Sequence, residues 1–318
     1  TPLQGIKALV GEKIKINHAV GCSMMSRDTT GIGEAVEATL KSDVAVIFCG
    51  CSSASLARDY TRTNCGEGFD LSDLSLTGAQ SDLIQAVYAT GKPVILVLVS
   101  GKPFAISWEK EHIPAIVAQW YGGEQEGYAI ADVLFGKVNP SGHLTYSFPQ
   151  SAGHLPVYYN HLPSDKGFYK RPGSYEQSGR DYVFSSPEPL WAFGHGLSYT
   201  TFSYGDLQLD KTSVQGENGV LTASVQVTNT GKLEGEEVVQ LYIGDPAASI
   251  SRPMKELKNF QKISLKPGES RKVSFTITPE DLKFYNSALE YIWEPGLFNI
   301  YVGTNSRDVK SAQVTWNK

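Results

Sequence analysis

The sequence has no apolar run long enough to cross a bilayer as a helix, which needs about 20 residues. Its longest apolar runs, Val44–Cys49 and Pro93–Val99, are far shorter and are typical of buried strands. Net charge is also small, at −5 in 318 residues. Because nucleic-acid and membrane-surface binding show as basic clusters, we expect neither a nucleic acid nor a membrane as a partner.

Cysteine is scarce, with four residues that all lie in the first third of the chain: Cys22, Cys49, Cys51 and Cys65. No CxxC pair or histidine spacing indicates a zinc site. Two interpretations stay open, because free cysteines are often small buried residues, whereas an exported protein would favour a disulfide such as Cys51–Cys65. The sequence shows no signal peptide and no initiator methionine, as in a mature or cut product. A secreted or periplasmic location is favoured.

Familiar catalytic motifs are missing as well. No phosphate-binding G-x-x-x-x-G-K-[ST] loop occurs, and Gly50-Cys-Ser-Ser does not match the G-x-S-x-G nucleophile elbow. The six histidines are scattered and show no Ser/His/Asp order. Nothing in the sequence therefore indicates a P-loop enzyme or a serine hydrolase.

Helical and strand patterns alternate up to about residue 150. Helices are predicted over Pro2–Val10, from a capping box at Thr77 to Gly91 (with Leu83, Ile84, Val87 and Tyr88 as its buried stripe), and over Gly127–Phe135. Another helical face is formed by Ile32, Ala35, Val36, Thr39 and Leu40. Strands are predicted over Ile14–Ala19, Val44–Cys49, Val94–Val99 and Ala115–Gln119. This alternation predicts an α/β sandwich domain over residues 1–150, a mostly parallel sheet with helices on both faces.

The pattern changes after residue 150. Residues 151–205 are rich in Pro, Gly and aromatic side chains, so this connecting segment is expected to pack along a neighbouring surface. From 206 to 318, short alternating strands such as Ala223–Asn229, Val238–Ile243 and Lys272–Ile277 are separated by turns at Asn229-Thr-Gly231 and Lys266-Pro-Gly268. This pattern of short strands and turns predicts an all-β sandwich of the immunoglobulin or fibronectin type III kind.

One loop is the best candidate for chemistry. Asn64-Cys-Gly-Glu-Gly-Phe-Asp70 follows a buried strand, and such strand-to-helix loops form the ligand crevice of open α/β sheets. Glycines on both sides of Glu67 allow unusual backbone dihedrals and close approach to a ligand. Asp70 and Asp73 are more simply turn residues, while Glu124 and Glu126 suit a helix N-terminus. A solvated loop carboxylate remains the simpler interpretation of Glu67.

Several blocks, in order, resemble glycoside hydrolase family 3. They are Gly66-Glu-Gly-Phe-Asp70 with Leu74, Leu76 and Gln80; Gly91-Lys-Pro-Val-Ile-Leu-Val with Gly101-Lys-Pro-Phe-Ala; Gly122-Gly-Glu-Gln-Glu-Gly127 with Ala131-Asp-Val-Leu-Phe-Gly136 and Asn139-Pro-Ser-Gly142; Pro156-Val-Tyr-Tyr-Asn-His161; Pro189–Phe202; and Asn229-Thr-Gly231, Val239-Gln-Leu-Tyr242 and Leu257–Lys262. The resemblance covers essentially the whole chain.

The resemblance implies an N-terminal barrel, an α/β sandwich and a fibronectin-like domain, of which this chain has the last two. It implies that Glu67 is the general acid/base of a retaining exo-β-glycosidase and that the nucleophilic Asp lies on the absent barrel. The implied substrate is the non-reducing end of a β-glucoside, with a β-xyloside as the alternative. The implied partners are thus a β-linked glycoside and the N-terminal half, and no metal or organic cofactor is required.

Two departures from the family pattern matter. Leu71 stands where the family often has Arg, and the 51–64 loop matches no familiar form. Arg58, Arg62 and Asp70 are candidates for substrate contacts, although solvated loop charges explain the two arginines equally well. The family's first sandwich strand is missing, so we expect the chain to be part of a longer protein and inactive alone. The alternative from another class is a non-catalytic carbohydrate-binding or scaffold module.

Overall fold

The computed structural model describes residues 1–53, 63–66, 68–163, 172–180 and 182–318. The described residues divide into two compact units. The first unit is Thr1–Val138 with Phe148–Leu155, and the second is Asn139–Ser147 with Pro156–Lys318. The domain boundaries predicted at residues 150 and 205 stay predictions.

The first unit alternates helices and strands. Its elements are α1 (Pro2–Val10), α2 (Ile32–Leu40), β1 (Ala45–Gly50), α3 (Gln80–Tyr88), β2 (Val94–Val99), α4 (Ser107–His112), β3 (Ala115–Ala118) and α5 (Glu126–Leu134). The three strands form a parallel sheet in the order β1-β2-β3, with Ala45 opposite Val94 and Ile95 opposite Ala115. The predicted class, a parallel sheet flanked by helices, is confirmed. Among the described residues, no helix combines the length and apolar character that crossing a bilayer requires.

Burial explains the central position of β2. Its sequence is entirely apolar, and Leu96 and Val97 are fully buried. A strand covered on both faces reads as a continuous apolar run. Helix α3 buries Leu83, Ile84 and Val87 as predicted, but Tyr88 is 39% exposed and lies outside the buried stripe.

The predicted strand Ile14–Ala19 is not formed. These residues have no ladder partner among the described residues, and a strand exists only beside another at about 4.8 Å. The Asn17 side chain donates instead to the Lys41 carbonyl at 3.1 Å and to the Ser42 hydroxyl at 2.9 Å. The segment is therefore held by one side chain and not by a backbone ladder.

The predicted capping role of Thr77 is also wrong. Helix α3 begins at Gln80 with Ala79 at its N-cap. The Thr77 hydroxyl is used elsewhere, because it donates to the Met24 carbonyl at 2.9 Å and accepts from the Asn64 amide at 2.7 Å. Tertiary hydrogen bonds thus replace the local cap that the motif indicated.

The second unit is mostly β. Its elements are β4 (Phe202–Tyr204), β5 (Gln208–Leu209), β6 (Ser213–Gln215), β7 (Leu221–Asn229), β8 (Gly235–Gly244), β9 (Glu256–Leu265), β10 (Ser270–Ile277), α6 (Pro279–Leu282), β11 (Phe284–Tyr285), β12 (Tyr291–Ile292), β13 (Gly296–Gly303) and β14 (Val309–Asn317). One sheet has the order β6-β14-β13-β8-β9, and another has β10-β7-β4 with β5 also paired to β7.

A single hydrophobic core joins these two sheets. Strand β10 buries alternate residues, Val273, Phe275 and Ile277, as a strand with one solvated face should. Trp316 of β14 is fully buried and lies edge-on to Trp293, with ring centroids 6.5 Å apart. The predicted all-β sandwich is confirmed.

Strand β8 is buried on both faces, because side chains of the aromatic segment (residues 151–205) cover the face that points away from the core. Tyr159 packs edge-on to Tyr242 and stacks on Phe193, at centroid distances of 5.8 and 4.2 Å. Its hydroxyl accepts a hydrogen bond from the Leu257 amide at 3.2 Å. The expectation that this segment packs along a neighbouring surface is confirmed for these residues.

The Asn229 side chain ties three parts of the sandwich together. It is fully buried, donates to the carbonyls of Leu233 and Leu265 at 2.8 and 2.9 Å, and accepts from the Thr200 hydroxyl at 2.7 Å and the Gly231 amide at 3.0 Å. The predicted turn at Asn229-Thr-Gly231 is therefore present, and it is built by this side chain.

We expect Asn229→Ala to destabilise the protein by about 2–4 kcal/mol, because it leaves several buried polar groups without partners. Urea unfolding followed by tryptophan fluorescence measures the change, since Trp293 and Trp316 lie in the same core. The matched control is Asn259→Ala, whose exposed side chain accepts one local bond, and it should stay within about 0.5 kcal/mol of wild type. Equal losses in the two variants would contradict this role.

Candidate active site

The candidate loop leaves the sheet at the carboxyl end of β1, the edge where open α/β sheets bind ligands. Cys51–Ser53 and Thr63–Gly66 are described and flank the loop. The proposed acid/base Glu67 and the candidates Arg58 and Arg62 lie outside the described residues. Asp70 is described and exposed to solvent.

The backbone on both sides of Glu67 takes conformations that favour glycine. Gly66 has φ +102° and Gly68 has φ +76°. A Cβ on Gly66 would also lie 2.6 Å from the Ser53 hydroxyl. The unusual dihedrals expected of these two glycines are confirmed.

The loop starts from a backbone position that the Gln80 side chain holds. Its amide oxygen accepts from the Gly50 N–H at 2.6 Å, and its amide nitrogen donates to the Gly50 carbonyl at 3.0 Å and the Thr77 carbonyl at 2.9 Å. Gln80 is 4% exposed. Buried backbone groups need hydrogen-bond partners. The Gln80 side chain provides them to the N–H and C=O of Gly50, as an adjacent strand would.

The two arms of the loop are tied together near its base. The Asn64 side-chain oxygen accepts from the Ser52 backbone N–H at 2.8 Å, and its side-chain nitrogen donates to the Thr77 hydroxyl. The backbone N–H of Asn64 donates to the Ser52 carbonyl at 3.1 Å. Ser53 and Cys65 form a parallel bridge. Residues 51–53 and 63–65 therefore run side by side and lead directly to Gly66.

Two cysteines meet one tyrosine at this base. The Tyr121 hydroxyl lies 3.3 Å from Cys51 Sγ and 3.2 Å from Cys65 Sγ, and it donates to the Cys51 carbonyl at 3.0 Å. The Ser100 hydroxyl lies 3.1 Å from Cys51 Sγ. All four cysteines are free thiols, so the Cys51–Cys65 disulfide is absent. Burial and the nearby thiols raise the pKa of Tyr121 far above its ordinary value, so the phenol stays protonated.

The other acidic candidates have local roles. Asp73 accepts hydrogen bonds from the amide and hydroxyl of Ser75, and these bonds lower the pKa of Asp73. Glu126 begins α5 and accepts from the Gly122 amide at 3.1 Å. The turn and helix-start roles predicted for these residues are confirmed. Asp59 lies outside the described residues.

Sequence reasoning missed the organising residues Gln80 and Tyr121. A signal existed for Gln80, because it precedes Leu83, Ile84 and Val87 at helical spacing, and a polar residue on a buried stripe needs a partner. No comparable signal marked Tyr121, which reaches the loop only because β3 lies in the same sheet. Trp120, with φ +60°, adds backbone strain at the same strand end.

The described residues form the base of a loop that carries one candidate carboxylate. Within them, no group of three or more His, Cys, Asp or Glu side chains is placed to hold a metal ion. The hydrogen bonds of Gln80 and Asn64 fix the backbone around one candidate carboxylate, Glu67.

Comparisons with known proteins identify the family of this chain. A family model described as "Glycosyl hydrolase family 3 C-terminal domain" matches residues 1–199, and one described as "Fibronectin type III-like domain" matches residues 237–306. A "Beta-xylosidase" of Formosa agariphila is 46% identical over 98% of this chain and 41% of its own length. A "Periplasmic beta-glucosidase" of Salmonella typhimurium is 42% identical over 98% of this chain and 42% of its own length.

Solved structures show the same relationship. A β-glucosidase from Erythrobacter marinus superposes with TM-score 0.86 at 35% identity, covering 99% of this chain and 43% of that one. A β-glucosidase from Listeria innocua, in complex with glucose, superposes with TM-score 0.79 at 35% identity, covering 92% of this chain and 39% of that one. The chain thus spans about two fifths of the length of the relatives it matches.

We expect Gly50→Ala to destabilise the first unit by about 3 kcal/mol or more, because the residue has φ +151° and its Cβ would lie 1.9 Å from the Val99 carbonyl oxygen. Gly33→Ala is the matched control. Gly33 lies in α2 with nothing within 4 Å of its Cβ position, so alanine should stabilise by about 0.5–1 kcal/mol. Urea unfolding followed by far-UV circular dichroism compares the two. A neutral Gly50→Ala would rule out the close approach at the end of β1.

Proposed function

Since the chain belongs to glycoside hydrolase family 3, we propose that it is the C-terminal part of a retaining, exo-acting β-glycosidase and that Glu67 is its general acid/base. The observation that carries this proposal is the pair of positive-φ glycines around Glu67, on a loop base held by Asn64 and Gln80. A solvated loop carboxylate needs neither feature. Both features restrict the backbone beside Glu67, and a proton donor benefits from such restriction because its carboxyl group must be held at one position relative to the leaving oxygen.

The proposed mechanism has two steps. A carboxylate attacks the anomeric carbon while Glu67, in its protonated form, donates to the departing oxygen. Glu67 then takes a proton from the water that hydrolyses the glycosyl–enzyme intermediate. The two carboxyl groups of such a pair lie about 5–5.5 Å apart. For the first step, the pKa of Glu67 has to lie above the ~4.3 of a free glutamate, which burial beside the nucleophile would achieve.

We propose that the nucleophile is an Asp on an N-terminal barrel of the same protein. The chain matches about two fifths of the length of its curated relatives, which leaves room for such a domain. The arrangement of Gln80, Asn64 and Tyr121 supports the acid/base loop alone. The whole protein, and not this chain, would therefore carry the activity.

The proposed substrate is a β-glucoside, cleaved from its non-reducing end. A β-xyloside is the second candidate, favoured by the 46% identity to a protein named a β-xylosidase. The two sugars differ only in the hydroxymethyl group at C5 of glucose, so selection depends on space and hydrogen bonding near that group. Comparing kcat/KM for 4-nitrophenyl β-glucoside and β-xyloside on the complete enzyme distinguishes them.

In the complete enzyme, we expect Glu67→Ala to lower kcat/KM by about 10²–10⁴-fold on substrates with poor leaving groups, which need the proton. Activated aryl glycosides should still glycosylate the enzyme and then stall. Added azide should restore turnover and yield a β-glycosyl azide. Asp70→Ala is the control, because it removes an exposed carboxylate only three residues away in the sequence. Azide should not increase the turnover of this variant. Equal losses on good and poor leaving groups, without azide rescue, would refute the assignment.

We also expect residues 1–318 alone to hydrolyse no aryl β-glucoside, because one carboxylate cannot carry out a double displacement. Co-expression with the N-terminal half should restore activity. The measurement is release of 4-nitrophenol by the purified chain, with and without that half. Hydrolysis by the chain alone would contradict the missing-nucleophile argument. Sugar binding without any activity after co-expression would favour the non-catalytic module.

A further inference from the structure

Cys51 and Cys65 are arranged as a pair and not as two separate buried thiols. Each is 5% exposed, and the Tyr121 hydroxyl lies 3.3 Å from Cys51 Sγ and 3.2 Å from Cys65 Sγ. The parallel bridge between Ser53 and Cys65, with the Asn64–Ser52 hydrogen bonds, holds the two segments at strand spacing. The backbone contacts between the two segments therefore already hold both sulfur atoms beside the Tyr121 hydroxyl.

The polar groups around Cys51 favour its thiolate. Burial opposes ionisation, but hydrogen bonds from Cys65, Ser100 and Tyr121 and from the Gly101 amide outweigh it and lower the pKa of Cys51. Both hydroxyls also reach a backbone carbonyl, at 2.8 Å for Ser100 and 3.0 Å for Tyr121. A hydroxyl proton can rotate between acceptors, and a charged sulfur attracts it more strongly than a neutral carbonyl.

The other two cysteines show that this is a local property. Burial raises the pKa of Cys49 far above its ordinary value, and burial with the nearby Asp82 raises that of Cys22. Burial and the hydrogen bond to Cys51 also raise the pKa of Cys65, so its proton stays available for donation. Among the four thiols, Cys51 alone is shifted towards the reactive thiolate form.

We propose that Cys51 and Cys65 are a hydroperoxide-sensitive thiol pair whose oxidation to a disulfide slows the enzyme by rearranging the base of the Glu67 loop. The effect on rate rests on the proposed function of Glu67. The modification site itself does not.

The chemistry balances with hydrogen peroxide as the oxidant. The Cys51 thiolate attacks one peroxide oxygen, the O–O bond breaks, and the departing hydroxide takes a proton to become water, which leaves a sulfenic acid on Cys51. The Cys65 sulfur then attacks the Cys51 sulfur, the S–O bond breaks, and a second water leaves. Two thiols are oxidised to one disulfide, and one peroxide is reduced to two waters. Peroxide is close to water in size, which suits thiols that are buried.

Closure changes the contacts that position the loop. The disulfide removes the thiol protons and draws the two sulfur atoms to about 2.05 Å, so their shared contacts with Tyr121 have to rearrange. Cys65 precedes Gly66, whose position beside Ser53 leaves no room for a Cβ. A shift at Cys65 therefore displaces Gly66, the residue that precedes Glu67 in the sequence.

The test treats the complete enzyme with hydrogen peroxide, blocks remaining thiols with N-ethylmaleimide and maps tryptic peptides by mass spectrometry. Lys92 and Lys102 each precede proline and resist trypsin, so Cys65 lies in the peptide Thr63–Lys110. Cys49 and Cys51 share Ser42–Arg58, so fragmentation on either side of Gly50 identifies which cysteine is linked. We expect a Cys51–Cys65 link that dithiothreitol reverses, with Cys22 and Cys49 alkylated. The Cys65→Ser variant should accumulate a Cys51 sulfenic acid that dimedone traps, and Cys22→Ala should behave as wild type.

Activity is read in parallel on a substrate with a poor leaving group. We expect a reversible loss of about tenfold or more, part of the 10²–10⁴-fold that acid–base catalysis contributes. Absence of the linked peptide, or faster oxidation of Cys22, would overturn the thiol pair. A complete link with unchanged activity would overturn its effect on the loop. Because the link is measured by mass, it is judged separately from the Glu67 assignment, which the azide experiment tests.

Discussion

The hydrogen bonds between the Gln80 amide and the Gly50 backbone are the constraint on which the candidate site depends. At the end of β1 the ladder with β2 stops, and Gly50 turns the chain outward at φ +151°. Backbone groups buried at such a point need partners, and the Gln80 side chain supplies two of them from α3. The loop that carries Glu67 therefore begins from a fixed point, which a proton donor requires.

The same edge of the sheet brings together side chains from all three parallel strands. Cys51 follows β1, Ser100 follows β2 and Tyr121 follows β3, and their polar atoms meet within 3.3 Å. Parallel strands end at one edge, so residues separated by 70 positions become neighbours there. This convergence gives the two thiols their contrasting ionisation and places them at the base of the loop. The proposed support of Glu67 and the proposed site of oxidation thus share one set of contacts.

The second unit is organised by burial of both faces of β8. Tyr242 is fully buried on the face opposite the sandwich core, and its hydroxyl donates to Gln240, whose amide donates in turn to the carbonyls of Gly194 and Thr304. The aromatic segment that supplies Tyr159 and Phe193 is therefore part of the fold of this unit. Its polar atoms find partners there, which a free linker could not provide.

The sequence by itself determined the classes of structure and most of the elements. Periodicity identified α1, α2, β1 and β2 within a residue at each end, because burial of one face is a local pattern. It failed where partners are distant in sequence. Ile14–Ala19 lacks a ladder neighbour, and Thr77 bonds to Met24 and Asn64 instead of capping α3. Glu67 was chosen from its glycines and its family resemblance, and a Cys51–Cys65 pairing was one of two interpretations that the sequence left open. The hydrogen bonds of Gln80 to Gly50 and the contacts of Tyr121 with both thiols emerged only from the tertiary structure. Hydrogen bonds between residues dozens of positions apart leave no periodic trace, because they depend on which strand ends the fold brings together.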